Sequence, residues 1–267
     1  MNHKIQTFNE LFSSLPLSSH KIITIVGAGG KTTLLYALAE KLSEQNQKVL
    51  VTTTTHIKRP TLSSSQTGWI LLEEENELLL PNIFSNQSVV CLGIPVDTQR
   101  KNDIPTGNMI SKWRSPSLSF LKKVQSIPDY IICEGDGSRR MPVKIPRKNE
   151  PVLFPETDMV IGVIGLSCLG KPLEDTLFGW QAPDNLDFYH RLLSTTRGSE
   201  HRITGESLFM IATSSLGLLK STANIPVHII FNQADTLTTS QLDEIEKIAR
   251  KIRDNVSPCH IVSLKPL

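Results

Sequence analysis

Residues 22–33 read IITIVGAGGKTT, and this stretch decides the fold that we expect. Its first half is apolar and rich in β-branched residues, which favours a strand that ends at glycine. Leucines at helical spacing over residues 34–42 then predict a helix with one buried face. A second β-rich run follows at residues 48–53. Strand, helix and strand in about thirty residues predict a βαβ unit, and therefore a parallel sheet with a right-handed crossover.

The rest of the chain extends this α/β pattern. The helical pattern over residues 237–253 is amphipathic, and further apolar runs that read as strands lie at residues 130–133, 159–164, 227–231 and 260–262. We expect one domain over residues 1–267, with helices on both faces of a mainly parallel sheet, as in the three-layer α/β/α fold of P-loop NTPases.

Two segments fit this pattern less well. Residues 165–205 mix glycine, proline and charged residues, so we predict an irregular insertion or a lid with some helix. Residues 108–124 are predicted to form a helix, in which Pro116 must begin or break a segment.

Bulk composition excludes several classes of protein. Among the 267 residues, 39% are hydrophobic and 20% are charged, which suits a chain that forms a core. The formal net charge of +2 gives no reason to expect a nucleic-acid or membrane partner. The four cysteines are isolated, which argues against a disulfide framework or a zinc site. No apolar stretch approaches the ~20 residues of a membrane span, and no signal region is recognisable, so we expect a cytoplasmic protein.

The glycine-rich turn resembles a P-loop, whose usual pattern is G-x-x-x-x-G-K-[ST]. The run Gly30-Lys31-Thr32 supplies the last three positions, but Ile25 stands where the pattern has its first glycine. Gly27 and Gly29 partly compensate, because glycine lets backbone amides turn inward. The alternative is a glycine-rich turn between strand and helix with an accidental lysine.

The residue types suit a nucleoside triphosphate with Mg²⁺. Amides at a helix N-terminus favour phosphate oxygens, and Lys31 adds a positive charge for the β- and γ-phosphates, which makes it a catalytic candidate. The Thr32 hydroxyl is a candidate ligand of Mg²⁺, and Thr33 is placed to reach the α-phosphate. The predicted nucleotide-binding residues of this loop are Gly27, Gly29, Gly30, Lys31, Thr32 and Thr33.

A second candidate site follows the strand at residues 130–133, where the sequence continues as EGDG. In P-loop proteins a carboxylate at such a strand end holds Mg²⁺, so we predict Glu134 as a metal ligand. The amide of Gly137 is then placed to reach the γ-phosphate. Asp136 is the rival for the metal role, or a catalytic group that orients water or substrate.

A basic run follows these acidic residues directly. Residues 138–144 read SRRMPVK, and they include Arg139, Arg140 and Lys144. Next to a phosphate site, these cations can bind a second anion or stabilise developing charge, so Arg140 is a catalytic candidate. The alternative is a solvated basic loop, which is the usual fate of such a run.

The late strand ends in the sequence FNQAD at residues 231–235. GTPases read guanine with N-K-x-D at the same place in chain order, so Asn232 and Asp235 are candidates for base binding. Gln233 replaces the lysine of that pattern. The alternative is an Asx-type turn that caps the helix beginning near Thr238.

Taken together, the motifs resemble those of the YqeC family. In chain order they read VGAGGKTT, TTTTH, EGDGSRRMPVKIP, NEPVLFP, VIGVIGLSCLGKPL and FNQAD. The family is described as accessory proteins of selenium-dependent molybdenum hydroxylases, or selenium cofactor biosynthesis proteins. The resemblance implies a P-loop NTPase fold, with Lys31, Thr32, Glu134, Asp136 and Arg140 at its site.

The sequence departs from the family pattern at two positions. Asn149 stands where a histidine commonly precedes the Glu-Pro pair, and Gln233 stands where a lysine is expected. The second departure weakens the case for guanine over adenine, so both ATP and GTP are kept.

The resemblance implies a role in maturing a selenium-containing molybdenum cofactor. Our leading hypothesis is that the chain binds and hydrolyses ATP or GTP with Mg²⁺ during that maturation. A molybdopterin-type cofactor or a molybdenum hydroxylase is the expected partner. One alternative is a phosphoryl- or nucleotidyl-transferase that acts on a small anionic cofactor precursor. Another is a non-enzymatic carrier or chaperone whose shape depends on nucleotide.

Overall fold

The computed structural model describes residues 5–63, 66–96 and 112–264. Its α-helices are α1 Phe8–Ser14, α2 Lys31–Glu44, α3 Leu79–Ile83, α4 Leu118–Val124, α5 Leu173–Thr176, α6 Leu186–Leu193, α7 Gly205–Thr213 and α8 Thr239–Asn255. Its strands are β1 Ile22–Gly27, β2 Val49–Thr53, β3 His56–Lys58, β4 Trp69–Leu72, β5 Val89–Leu92, β6 Ile94–Val96, β7 Lys112–Arg114, β8 Tyr130–Glu134, β9 Val143–Lys144, β10 Met159–Gly165, β11 Leu177–Phe178, β12 Val227–Asn232 and β13 Cys259–Ile261.

The main sheet has eight strands in the order β13-β12-β10-β1-β8-β2-β5-β4, and all of its neighbouring pairs are parallel. Strand β1 lies between β8 and β10. Its Ile25 is level with Glu134 of β8 and with Ile161 of β10. The prediction of an α/β protein with a mainly parallel sheet is therefore confirmed.

Helices cover both faces of this sheet. Ile23 and Ile25 of β1 belong to a buried cluster that also contains residues of α1 and α2. Val26 points to the opposite face and belongs to a second cluster that includes residues of α7 and α8. A third cluster joins α3 and α4 to β2, β5 and β8. This arrangement is compatible with three α/β/α layers, since the apolar strands are covered on both sides.

Residues 165–205 are more regular than the sequence predicted. They include α5, β11 and α6, and β11 pairs in parallel with β9 in a small second sheet. Leu173, Phe188 and Leu192 from this segment are buried in the same cluster as α7 and α8. These apolar residues pack against α7 and α8. The sequence did not predict this packing, because glycine, proline and charged residues lie between them.

The helix predicted over residues 108–124 is confirmed at residues 118–124 and wrong at residues 112–114. Lys112–Arg114 forms strand β7, which pairs antiparallel with both β3 and β6. Helix α4 begins only at Leu118, after Pro116, and the Ser117 hydroxyl accepts from the Phe120 amide as its N-cap. Proline interrupts the helical pattern because it lacks an amide donor. The remaining part of the prediction, residues 108–111, lies outside the described residues.

The four cysteines are buried and unpaired, as expected for small core residues. Burial raises the pKa of each thiol to about 12. Within the described ranges, no helix has both the length and the apolar character that crossing a bilayer requires.

Two histidines form a buried pair between the last two strands. The rings of His228 and His260 are stacked with centroids 5.5 Å apart, and their nearest nitrogens are 3.2 Å apart. Burial, followed by the charge of His228, lowers the pKa of His260 to about 4. Burial also lowers the pKa of His228. Both rings are therefore neutral in the folded protein near neutral pH.

This pair is expected to make the fold sensitive to acid. The pKa of His260 falls from 6.5 in a free chain to about 4, so its contribution is complete above pH 6.5 and is lost as the pH falls towards 4. The loss of unfolding free energy is ~3 kcal/mol, at ~1.4 kcal/mol per pKa unit. Urea unfolding between pH 7 and pH 4 measures it. His260→Gln is expected to flatten the pH dependence, whereas exposed His56→Gln leaves it unchanged. An equal slope for wild type and His260→Gln would contradict this prediction.

Candidate functional site

The turn after β1 is shorter than the P-loop pattern implies. Ile25, at the position of the missing glycine, is fully buried in the sheet, and the strand continues to Gly27. Only residues 28–30 separate β1 from α2. We call residues 27–30 the glycine loop. Its compact path depends on glycines at positive φ, with 94° at Gly27, 81° at Gly29 and 126° at Gly30.

These glycines also have no room for a side chain. A Cβ atom at Gly27 would lie 2.2 Å from the Val163 carbonyl oxygen, and one at Gly30 would lie 2.2 Å from the Asn232 amide nitrogen. At Gly29 it would lie 2.3 Å from the Gly165 backbone. Close packing and left-handed backbone therefore both select glycine at these positions.

Helix α2 begins directly after the glycine loop, with Gly30 as its N-cap and no side-chain cap. Its first amides are free of intrahelical partners, as at any helix N-terminus, and carry the positive end of the helix dipole. Thr32 is exposed on this first turn, and Thr33 is half-buried. The end of the helix is thus available to an anion from outside.

Lys31 turns back under the loop. Its ammonium donates to the Gly27 carbonyl at 2.7 Å, and it lies 3.4 Å from an Asp136 oxygen and 3.8 Å from a Glu134 oxygen. Only 4% of the Lys31 side chain is exposed. The structure therefore brings together three predicted site residues from α2 and from the end of β8.

Asp136 is fully buried and contacts three groups of this site. Its two oxygens lie 3.1 and 3.2 Å from the Gly27 amide nitrogen, which donates to them. One of these oxygens is 2.9 Å from the Lys144 ammonium. Lys144 in turn donates to the Gly137 carbonyl at 2.8 Å and to Glu150 at 2.9 Å. We call Lys31, Glu134, Asp136, Lys144 and Glu150 the buried charge cluster.

Lys144 corrects part of the sequence interpretation. It was grouped with a basic run whose alternative was a solvated loop, yet it lies in β9 and its side chain is 1% exposed. Burial acts to raise the pKa of Glu150, but the Lys144 ammonium and the Arg147 amide outweigh it and lower that pKa below its ordinary value. Glu150 was not singled out from the sequence. The only signal for Lys144 was its place between the apolar residues Val143 and Ile145.

Glu134 stands at the C-terminal end of β8, level with Thr53 of β2. It accepts a hydrogen bond from the Thr32 hydroxyl at 2.8 Å, and its main-chain oxygen accepts from the Thr53 hydroxyl at 3.0 Å. Burial raises the pKa of Glu134, while Lys31 and the Thr32 hydrogen bond counteract part of that rise. The two predicted metal ligands, Thr32 and Glu134, are therefore adjacent.

The two arginines of the basic run are exposed, as a solvated loop would have them. Arg139 and Arg140 both have positive φ, at 48° and 64°. The Arg139 guanidinium lies 5.7 Å from the centre of the Phe178 ring. Within the described residues, no hydrogen bond or ion pair joins Arg140 to the buried charge cluster.

The residues predicted to read the base have mixed surroundings. The Asn232 side-chain amide donates to the Gly29 carbonyl at 2.9 Å, and its oxygen accepts from the Leu264 amide at 2.9 Å. Gln233 accepts from the Ser167 hydroxyl at 2.7 Å. Asp235 is exposed, and its main-chain amide donates to Ser263. The Thr238 hydroxyl caps α8 by accepting from the Gln241 amide, so the alternative of an Asx-type turn as the cap of this helix is wrong.

Fold and site together define a class of protein: an α/β protein whose glycine loop, after the central strand, lies against a buried lysine–carboxylate cluster. The family model described as YqeC protein matches residues 23–181, which is more than half of the chain. The chain therefore belongs to the YqeC family.

A curated relative supports the same assignment. The Escherichia coli (strain K12) protein named "Uncharacterized protein YqeC" is 32% identical over 149 residues. That match covers 56% of this chain and 53% of the relative. The matched part thus spans about half the length of the curated relative.

The buried charge cluster is expected to be essential for stability. Asp136→Asn keeps the size of the side chain but leaves Lys144 and Lys31 without their shared carboxylate. Breaking a buried ion pair from one side costs ~3–5 kcal/mol, so the free energy of unfolding is expected to fall by about that amount. Urea unfolding at neutral pH measures it. Asp187→Asn, at an exposed position of α6, is the matched control, and an equal effect of the two substitutions would contradict the prediction.

Proposed function

We propose that this chain is a P-loop NTPase that binds ATP or GTP with Mg²⁺ at the glycine loop and hydrolyses it. The observation that carries the proposal is the pairing of Thr32 with Glu134, 2.8 Å apart, beside Lys31 at an uncapped helix N-terminus. A P-loop site needs groups that bind phosphate, groups that bind the metal, and a lysine. Candidate residues for all three lie at one edge of the sheet.

Binding of the triphosphate would depend on fixed positive groups. The first amides of α2 carry the helix dipole and have no side-chain cap, which favours phosphate oxygens. Lys31 adds a full charge at the base of the loop. Its shortest contact is the neutral Gly27 carbonyl at 2.7 Å, and its ion-pair partners Asp136 and Glu134 are farther away, at 3.4 and 3.8 Å. We propose that phosphate oxygens would share the Lys31 charge with these two carboxylates.

The donor set suits Mg²⁺. In the described part of the chain no group of three or more histidine, cysteine or acidic side chains is arranged to hold a metal. Mg²⁺ commonly takes one or two protein oxygens and completes its shell with water and substrate phosphates. Thr32 and Glu134 would supply two such oxygens. A Mg²⁺ held there would neutralise phosphate charge.

The topology supports this position for the ligand. Strands on one side of β1 are β8, β2, β5 and β4, and those on the other side are β10, β12 and β13. The connection after β1 leads to β2 on one side, and the chain passes from β8 to β10 on the other side, so the switch point lies between the neighbouring strands β1 and β8. Open α/β sheets bind ligands outside the carboxyl ends of the strands at such a switch point. The glycine loop and Glu134 both lie at that edge.

The roles within the site divide by burial. Asp136 is fully buried with its oxygens occupied by Gly27 and Lys144, so we assign it to positioning the loop. Arg140 is exposed and is the cation that we assign to stabilising charge during phosphoryl transfer. Hydrolysis would depend mainly on positioning and charge neutralisation, as is general for this chemistry.

The biological role that we propose rests on the family resemblance of the motifs and not on the geometry. We propose that nucleotide hydrolysis serves maturation of a selenium-containing molybdenum cofactor, with a molybdopterin-type compound or a molybdenum hydroxylase as partner. A second candidate is a phosphoryl- or nucleotidyl-transferase. It is favoured by one observation, an arginine-lined cavity that adjoins the buried charge cluster through Lys144 and Phe178.

Substitutions in the loop test nucleotide binding. Lys31→Met removes the charge with little loss of volume, and Thr32→Ala removes the predicted metal ligand from an exposed position. Lys31→Met is expected to weaken Mg²⁺–ATP and Mg²⁺–GTP binding ~100-fold, consistent with loss of a buried charge-assisted contact of ~3 kcal/mol. Thr32→Ala is expected to abolish the Mg²⁺ dependence. Calorimetric titration and phosphate release measure both effects.

Lys247→Ala, on the exposed side of α8, is the matched control and should bind like the wild type. Thermal unfolding establishes that each variant is folded. If folded Lys31→Met and Thr32→Ala bind nucleotide as tightly as Lys247→Ala, the proposed site is wrong.

The choice of base has its own test. A carboxylate that accepts from guanine N–H donors is worth about a factor of ten or more in affinity. If Asp235 has this role, Asp235→Ala should weaken the binding of GTP by that factor and leave the affinities for ATP and CTP unchanged. Equal affinities of wild type for ATP and GTP would remove guanine from the proposal and leave ATP.

A further inference from the structure

A cavity of about 390 Å³ lies beside the buried charge cluster, between the turn at residues 139–141 and the segment 177–182. Its volume is within the range of small-molecule sites. Its lining includes Arg139, Arg147, Phe178, Trp180 and Glu174. Both arginines and aromatic rings are therefore present in one concave surface of the described structure.

We propose that this cavity is a binding site for a small anionic compound with a planar nitrogen-containing ring. Its role as the site of a second substrate rests on the proposed nucleotide function. The existence of the binding site does not rest on the nucleotide function, because no residue of the glycine loop lines the cavity.

The anionic part of the ligand is inferred from the arginines. The guanidinium carbons of Arg139 and Arg147 lie 5.7 and 4.7 Å from the centre of the Phe178 ring, and the Lys144 ammonium lies 5.5 Å from it. Lys144 is paired with carboxylates, but no described carboxylate lies within 4 Å of either guanidinium. Both arginines are exposed, and two guanidinium groups beside one ring can bind a carboxylate or phosphate with several N–H donors.

The planar part is inferred from the aromatic side chains. Trp180 stacks on Tyr189 with ring centroids 4.8 Å apart and an interplanar angle of 23°, which fixes the indole as a lining surface. Glu174 also lines the cavity, and it accepts a hydrogen bond from the Tyr189 hydroxyl at 2.8 Å. An anchored carboxylate beside an indole face suits a ring that carries N–H donors.

One short segment joins this cavity to the glycine loop. Asp136 bonds to Gly27, and Lys144 bonds to Asp136 and lies over Phe178. Between them, Arg139 and Arg140 have positive φ, an uncommon conformation for residues with side chains, and this turn holds Arg139 at the cavity. A ligand in the cavity would therefore lie next to the turn that follows the proposed metal ligand Glu134.

The test uses pterin-6-carboxylate as the anionic planar probe and unsubstituted pterin as its neutral partner. Each is titrated with the full chain, and the fluorescence of the probe reports binding. We expect the wild type to bind pterin-6-carboxylate at least tenfold more tightly than pterin. Arg147→Gln and Arg139→Gln are each expected to weaken the binding of pterin-6-carboxylate about tenfold and to leave the binding of pterin unchanged. Trp180→Leu is expected to weaken the binding of both probes about tenfold.

Arg250→Gln removes one exposed arginine from α8 and is the matched control for charge. The inference is overturned if wild type does not bind pterin-6-carboxylate or binds both probes equally. It is also overturned if folded Arg139→Gln and Arg147→Gln bind the probe as tightly as Arg250→Gln.

Separate titrations with Mg²⁺–ATP and Mg²⁺–GTP distinguish the two proposals. Arg147→Gln is expected to retain nucleotide binding, and Lys31→Met is expected to retain binding of pterin-6-carboxylate. If wild type binds the probe as described but binds neither nucleotide, the cavity remains a ligand site and the proposed NTPase function fails. If it binds nucleotide but not the probe, only the cavity proposal fails.

Discussion

The arrangement of the site depends on one buried carboxylate, Asp136, and on the groups that compensate for its burial. A carboxylate removed from water needs donors and cations around it, or its burial costs several kcal/mol. The Gly27 amide, Lys31 and Lys144 meet that requirement from the glycine loop, helix α2 and strand β9. Three separate parts of the chain are thus held at fixed distances by one charge. The loop takes its shape before any ligand binds, so less ordering would be needed on binding.

The two acidic residues at the end of β8, Glu134 and Asp136, have different surroundings although they are only two positions apart. Glu134 ends β8 and points to the first turn of α2, where the exposed Thr32 hydroxyl reaches it. Asp136 lies beyond the strand and is enclosed, with no exposed surface. Burial raises the pKa of Glu134, and Lys31 counteracts this only in part. A divalent cation next to Glu134 would favour its charged form, so metal binding and ionisation would reinforce each other.

The sequence predicted those features that depend on local pattern. The order of apolar strands and an amphipathic helix was enough to predict a parallel sheet. Because Lys31 and Glu134 both follow the carboxyl end of a predicted strand, their position at one edge of the sheet was also predictable. The burial of Lys144 was not predictable in this way, because its partners Asp136 and Glu150 are brought to it by the fold. The packing of residues 165–205 also depends on distant elements, since Phe188 and Leu192 are covered by a cluster that includes α7 and α8. Strand β7 similarly owes its pairing to β6 and to the more distant β3, so its three residues could not be recognised from their own pattern.

Asn232 is a motif position whose contacts serve the fold. Its amide nitrogen holds the Gly29 carbonyl, and its oxygen holds the Leu264 amide, so it ties the glycine loop to the chain that follows β13. A Cβ at Gly30 would lie 2.2 Å from that same amide nitrogen, so the glycine before Lys31 is required by Asn232 as well as by its positive φ. Both polar atoms of Asn232 are engaged with main chain. Selection of guanine by this segment would therefore rest on Asp235, which is exposed. Gln233 stands where the guanine-binding pattern has the lysine that packs over the base. The geometry thus links Asn232 to the shape of the glycine loop, so a role of Asn232 in the proposed nucleotide site would be indirect.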